Sequence, residues 1–208
     1  EWMPMRESGE LEQNQRSFRF GDLADIVMLE QRHQARSEQL SGTVVIPGLG
    51  LGFVPVGPFL DPSRTMLGAA QEAWLANTLQ QSPARWKFIG QGVMLAQLKA
   101  VGRPNAEGSG LFVNPDQWDG YPPARERLFD VFAGAAAPPP VGNVVVLTGD
   151  IHTAWAADLT RDPNNPDVGS GGYDPVTGAG PLAVEFLPTS ITSPGIPAPD
   201  GALARLTA

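Results

Sequence analysis

One stretch constrains this chain more than any other: Asn143-Val144-Val145-Val146-Leu147-Thr148-Gly149-Asp150-Ile151-His152. Its first half is an almost unbroken apolar run, as expected of a central strand covered on both faces. Its second half turns at once to a glycine, a carboxylate and an imidazole. A strand ending on polar side chains suits an open α/β sheet, where sites collect at the carboxyl ends of strands. Gly149 lets the backbone turn at no steric cost. Asp150 and His152 are two residues apart, and in an extended segment that spacing predicts both side chains on one side. A carboxylate and an imidazole together can bind a transition metal or a mixed metal centre. The same two residues also read as a capping aspartate and a surface histidine. His33 and His152 are the sequence's 2 histidines, so a metal site made wholly from this chain would be poor in imidazole.

Helices and strands alternate around that run. Residues 17–30 predict strand, turn at Gly21-Asp22, and strand. The spacing of Ala70, Trp74, Leu75 and Leu79 predicts a helix over 68–81, ended by Ser82-Pro83 because a residue before proline leaves the helical region. Trp86-Lys87-Phe88-Ile89 predicts a buried strand. Residues 122–133 predict a second helix whose prolines suit its first turn, and residues 183–187 a last strand. Residues 134–142 read as a proline-stiffened linker. Residues 41–66, 101–117 and 160–182 read as loops, in keeping with 24 glycines and 21 prolines. The predicted architecture is α/β in packed layers.

A net charge of −8 and a pI near 4.7 argue against nucleic-acid readout, which wants a basic surface. An acidic protein can still bind an anionic phosphate where metals invert the local field. With 0 cysteines there is no disulfide framework and no thiol nucleophile. No apolar run reaches membrane-spanning length, and no signal peptide is visible. The sequence holds no G-x-x-x-x-G-K-[ST] phosphate loop and no G-x-S-x-G elbow. Gly48-Leu49-Gly50-Leu51-Gly52 leads into Phe53-Val54-Pro55 rather than into a helix, so it is a weak nucleotide signal.

Two further clusters can carry chemistry. In Trp118-Asp119-Gly120-Tyr121-Pro122, Asp119 or Tyr121 stands at the mouth of a site, or Asp119 caps the following helix while the aromatics pack. Arg32 and Arg36, with Arg6, offer guanidinium forks suited to phosphate. They also read as solvated charges or as ion pairs with Glu7, Asp25 or Glu30. His33 reads as a loop or core histidine, and Trp74, Trp86 and Trp155 as core.

Six segments, in order, carry a resemblance to the PhoD-like alkaline phosphatases: EWMPMRE, FRFGDLADIVMLEQRHQAR, LGAAQEAWLANTLQQSPARWKFIGQGVML, DQWDGYPPARERL, VVVLTGDIHTAWAADL and EFLPTSITSPG. The resemblance implies a metallophosphatase-like sandwich of two mixed β-sheets flanked by helices, incomplete in this chain. It implies metal-dependent hydrolysis of phosphomonoesters and phosphodiesters with iron and calcium ions, in the periplasm or outside the cell. It places metal ligation on Asp150 and His152, through the family's G-D-x-H motif. Arg32 and Asp119 are the catalytic candidates; stabilisation of the equatorial phosphate oxygens falls to Arg32 or Arg36, on residue type and position alone. Residues 1–208 are then the C-terminal part of a single catalytic domain, and the other metal-bearing segments are expected before Glu1, in a missing N-terminal half. Such a half-domain is expected to be inactive alone, and to expose a sheet edge and apolar faces. The family's L-D-T-R stretch reads Leu29-Glu30-Gln31-Arg32 here, which changes a carboxylate and loses a hydroxyl. A non-catalytic half-domain remnant, or a metallo-hydrolase acting on other phosphorus esters, would share the same segments.

Overall fold

A computed structural model describes residues 14–33, 35–47, 50–105 and 110–193. The first described elements are an antiparallel hairpin of β1 (Arg16–Phe20) and β2 (Ala24–Met28), turned at Gly21, whose φ of +58° suits a residue without Cβ. Next come β3 (Val44–Ile46), β4 (Gly50–Gly52), α1 (Gly68–Gln80) and β5 (Trp86–Gln91). They are followed by β6 (Lys99–Val101), β7 (Leu111–Phe112) and α2 (Pro122–Ala133). The last described elements are β8 (Val144–Thr148), β9 (Trp155–Leu159) and β10 (Ala183–Leu187).

Among the described residues the main sheet has 6 strands in the order β1-β2-β5-β8-β10-β9. Its centre, β2, β5, β8 and β10, is parallel, while β1 and β9 run antiparallel at the edges. Parallel neighbours need long crossovers, and the helices lie in them, α1 between β2 and β5 and α2 between β5 and β8. This is the mixed α/β architecture expected.

Alternation along the strands gives the sheet two unlike faces. Val27, Ile89, Val146, Glu185 and Leu187 point into a core shared with Leu75 and Leu79 of α1 and Leu128, Phe129 and Phe132 of α2. The other face is also apolar but open: Phe18, Met28, Leu147 and Phe186 are 40–48% exposed. β8 is therefore apolar on both sides yet covered on one among the described residues. The open side is the one that a second sheet would meet in a sandwich.

Several local expectations are corrected. Residues 41–66 hold the β3–β4 hairpin, and 101–117 include β7 paired to β6. β9 lies where no strand was expected. Trp86 is 38% exposed, while Trp74 and Trp155 are half-buried and do pack against the core; among the described residues the tryptophan sealed in it is Trp118, at 1%. In α1, Ala70 faces out and Gln71 takes the buried position. A buried amide needs partners, and Gln71 has them: its Oε1 accepts the Glu30 N–H at 2.8 Å and its Nε2 donates to Glu30 O at 2.8 Å. Among the described residues no helix is long and apolar enough to cross a membrane.

Candidate functional site

The four parallel strands send their carboxyl ends to one edge of the sheet, and the polar candidates gather in the loops that leave it. After β2, Glu30 shapes the turn. Its Oε1 accepts the Arg32 N–H at 2.8 Å and its Oε2 the His33 N–H at 2.9 Å. With the Glu30 backbone clipped to Gln71, this turn presents Arg32 outward, its side chain 43% exposed.

After β8 the chain does not continue extended. Asp150 and His152 both adopt left-handed backbone, with φ of 74° and 59°. Ile151 N–H donates to Gly149 O at 3.0 Å, a tight local turn. The same-side argument from strand alternation therefore does not apply, because the strand ends at Thr148. Aspartate and histidine are among the side chains that tolerate this conformation best, and strained backbone of this kind clusters at functional sites. Asp150 and His152 are both exposed. Beyond β10, the Thr189 hydroxyl donates to His152 O at 3.2 Å. Arg32 Nη2 stands 3.6 Å from Asp150 Oδ1, joining the loops after β2 and β8.

Asp116, not singled out in the sequence, organises the arginines. Both its oxygens take Arg32 Nη1, at 2.9 and 2.8 Å, and Oδ1 also takes Arg36 Nη2 at 2.6 Å. Partial burial pushes its pKa up, but the hydrogen bonds and charges of Arg32 and Arg36 outweigh this and hold it below the usual range. Arg36 Nε donates to Tyr121 Oη at 2.9 Å, and that hydroxyl donates to Ser37 O at 3.0 Å. The guanidiniums of Arg36 and Arg64 lie 5.0 and 4.8 Å from the Tyr121 ring centre, within cation–π range. The signal for Asp116 was present: it is the first aspartate of the matched DQWDGY segment.

Asp119 is placed differently. It is 2% exposed, Oδ2 accepts the Leu98 N–H at 2.9 Å, and Oδ1 has no partner among the described residues. It caps no helix, because the residue preceding α2 is Tyr121 and makes no side-chain cap. With Trp118, Arg125, Arg161 and Asp162 it lines a cavity of about 390 Å³ whose lining includes neither Arg32, Asp150 nor His152. Burial pushes its pKa from 3.8 up to about 7, against the pull of the Leu98 N–H, Arg125 and Lys99. Between those values the folded chain keeps a proton that the unfolded chain has released. Stability should therefore fall as pH rises from about 4 to about 7, by at most about 1.4 kcal/mol per unit. Asp119→Asn removes that slope. Urea melts at about pH 5 and about pH 8 should show the variant gaining on the wild type at the higher pH, and a constant gap would contradict this.

Arg6 lies outside the described residues, and His33 is an exposed loop residue. Among the described residues, no group of three or more His, Cys, Asp or Glu could hold a metal ion. Asp150 and His152 are suitable donor types, but two donors fall short of the three or four protein ligands usual for a transition-metal centre. The residues described here do not by themselves fit a complete centre.

Fold and site together define a mixed α/β domain of the metallophosphatase-like kind, with an arginine held between carboxylates at the strand ends. The chain belongs to the PhoD-like phosphatase family, whose family model matches residues 1–206. It is 34% identical over 199 residues to alkaline phosphatase D of Bacillus subtilis (strain 168), covering 94% of this chain and 29% of that protein. It also matches the solved structure described as "Structure of PhoD", with a TM-score of 0.70 and 33% identity over 92% of this chain and 32% of that one. The chain thus spans under a third of each of these relatives.

Proposed function

We propose that this chain forms the C-terminal part of a phosphoester hydrolase domain and supplies its phosphate-binding edge, acting on phosphomonoesters and phosphodiesters. The observation that carries the reading is Arg32, gripped by Asp116 through Nη1 while Nη2 reaches toward Asp150 at 3.6 Å, beyond hydrogen-bonding distance. That open edge of the guanidinium can receive two phosphate oxygens as a fork. Asp116, kept ionised by the two arginines, fixes the fork before substrate arrives, so little ordering remains to be done on binding. Arg36, with 10% of its side chain exposed, acts from behind as a buried positive charge.

Charge balance supports a cation requirement. Two carboxylates, Asp116 and Asp150, face two guanidiniums, so a phosphate dianion would bring uncompensated negative charge. Asp150 and His152 would be two of the metal donors, and the rest would come from outside the described residues. Iron and calcium ions, and a periplasmic or extracellular setting, are part of this reading through the family resemblance.

The test is turnover of a chromogenic phosphomonoester and phosphodiester with divalent and ferric ions supplied. The isolated 208-residue chain should show none above background. The full-length protein should show turnover that a chelator abolishes. Metal-dependent turnover by the isolated chain would overturn the partial-site reading, and an inactive full-length protein would overturn the assignment.

A further inference from the structure

We propose that Glu185 is a positioning residue that fixes the Asp150–His152 loop relative to the Arg32 loop; this rests on the reading above of those loops as the phosphate-binding edge. Glu185 lies in the middle of β10 at 0% exposure. A buried carboxylate is costly unless hydrogen bonds compensate it. Among the described residues no lysine or arginine makes a direct ion pair with it, although the buried Arg125 charge acts on it from a distance; its hydrogen-bond partners are neutral donors. Thr148 Oγ1 donates at 2.6 Å, Gln91 Nε2 at 3.3 Å, Leu95 N at 2.9 Å and Ala96 N at 2.7 Å. A Leu or Val there would fill the core without this cost, so the carboxylate calls for an explanation beyond packing.

The explanation lies in what those donors hold. Thr148 is the last residue of β8, directly before Gly149. Its hydroxyl donates to Glu185 and therefore accepts from Gln91 Nε2, at 3.1 Å. Gln91 is the last residue of β5, and with its amide nitrogen committed, its Oε1 must face the other way. There it accepts from Gln31 Nε2 at 3.0 Å and Trp118 Nε1 at 2.9 Å. Gln31 is 3% exposed and adjoins Arg32, and its Oε1 accepts the Gly92 N–H at 2.6 Å. A chain of hydrogen bonds thus runs Glu185–Thr148–Gln91–Gln31, from the middle of β10 across the ends of β8 and β5 to the loop that follows β2. Both Glu185 oxygens are placed as acceptors of these four donors, so Glu185 sets the donor direction of every later link. Reversing the first link would leave buried groups donor to donor, at a cost shared along the network.

The test uses Thr148→Val, Thr148→Ser and Glu185→Gln in the full-length protein, with two readouts. Backbone amide exchange over 149–153 should quicken about tenfold in Thr148→Val and Glu185→Gln while α2 amides stay protected. Phosphomonoester kcat should fall about tenfold in the same two variants with KM within about twofold, as for outer residues that orient a site. Thr148→Ser, which keeps the hydroxyl, should match the wild type in both, and the Glu185→Gln/Thr148→Val double variant should be no worse than either single. Unchanged exchange over 149–153, or equal loss of protection throughout the protein, would overturn the proposal. If Glu185→Gln fails to fold, the Thr148 pair carries the comparison. A wild-type protein without turnover would sink the phosphatase reading while the exchange experiment still decided whether Glu185 orders the loop.

Discussion

Replacing His152 by alanine or asparagine in the full-length protein is expected to lower turnover of a phosphomonoester by at least about 100-fold. Outer residues around a metal typically cost 10–100-fold when lost, and a donor itself should lie at or beyond that limit. The backbone makes this pair of variants informative. His152 sits at φ 59° and its carbonyl accepts from Thr189 at 3.2 Å, so its replacement must tolerate left-handed geometry. Asparagine does so more readily than alanine. If the imidazole carries the chemistry, the two variants should be equally inactive while His152→Asn melts close to the wild type. If the loop's shape alone matters, His152→Asn should retain most turnover. Asp150→Asn, at φ 74°, supports the same comparison: the shape is kept and the charge removed. Measuring kcat/KM and melting temperature on each variant separates the two causes.

The parts of this site that the sequence disclosed are those where a local pattern carries the information. The apolar run 143–147 announced a central strand, and the change to Gly149, Asp150 and His152 marked its end as a polar edge. The helices over 68–81 and 122–133 were legible from spacing and proline punctuation, and α1 and α2 match them within a residue. What stayed hidden depends on partners far along the chain. Glu30 and Gln31 read as departures from the family's L-D-T-R stretch. In the fold, Glu30 closes the turn that presents Arg32, and Gln31 bonds Gln91, 60 residues away. Asp116 took on meaning only when folding brought Arg32 to it from 84 residues away. Left-handed backbone at Asp150 and His152 also lies beyond spacing arguments, because alternation holds only while the strand lasts. β9 was missed because Trp155-Ala156-Ala157-Asp158-Leu159 is a short edge strand, whose small residues give a weak signal.

Arg125→Met is expected to destabilise the fold by about 3–5 kcal/mol, the loss typical when one partner of a buried charged network is removed. Arg125 lies on α2 at 2% exposure, and three of its nitrogens each serve a backbone carbonyl. Nε donates to Leu95 O at 3.0 Å, Nη1 to Arg161 O at 2.9 Å and Nη2 to Thr160 O at 2.8 Å. Its guanidinium also stacks 4.4 Å from the Phe129 ring centre. Methionine can follow the aliphatic stem but donates nothing, leaving these carbonyls without their charged donor at about 1–3 kcal/mol each before relaxation. Lysine at the same position keeps the charge but not the planar fork, so Arg125→Lys should recover less than half of the loss. Urea unfolding of the three proteins gives the answer directly, and a loss under about 1 kcal/mol for Arg125→Met would show that water replaces the guanidinium at little cost. A second consequence reaches Asp119. Arg125 is one of the charges that hold the Asp119 pKa down toward about 7 against burial. Without it Asp119 should stay protonated to still higher pH. The decline in stability with rising pH should then extend beyond neutrality in Arg125→Met, and adding Asp119→Asn should abolish it.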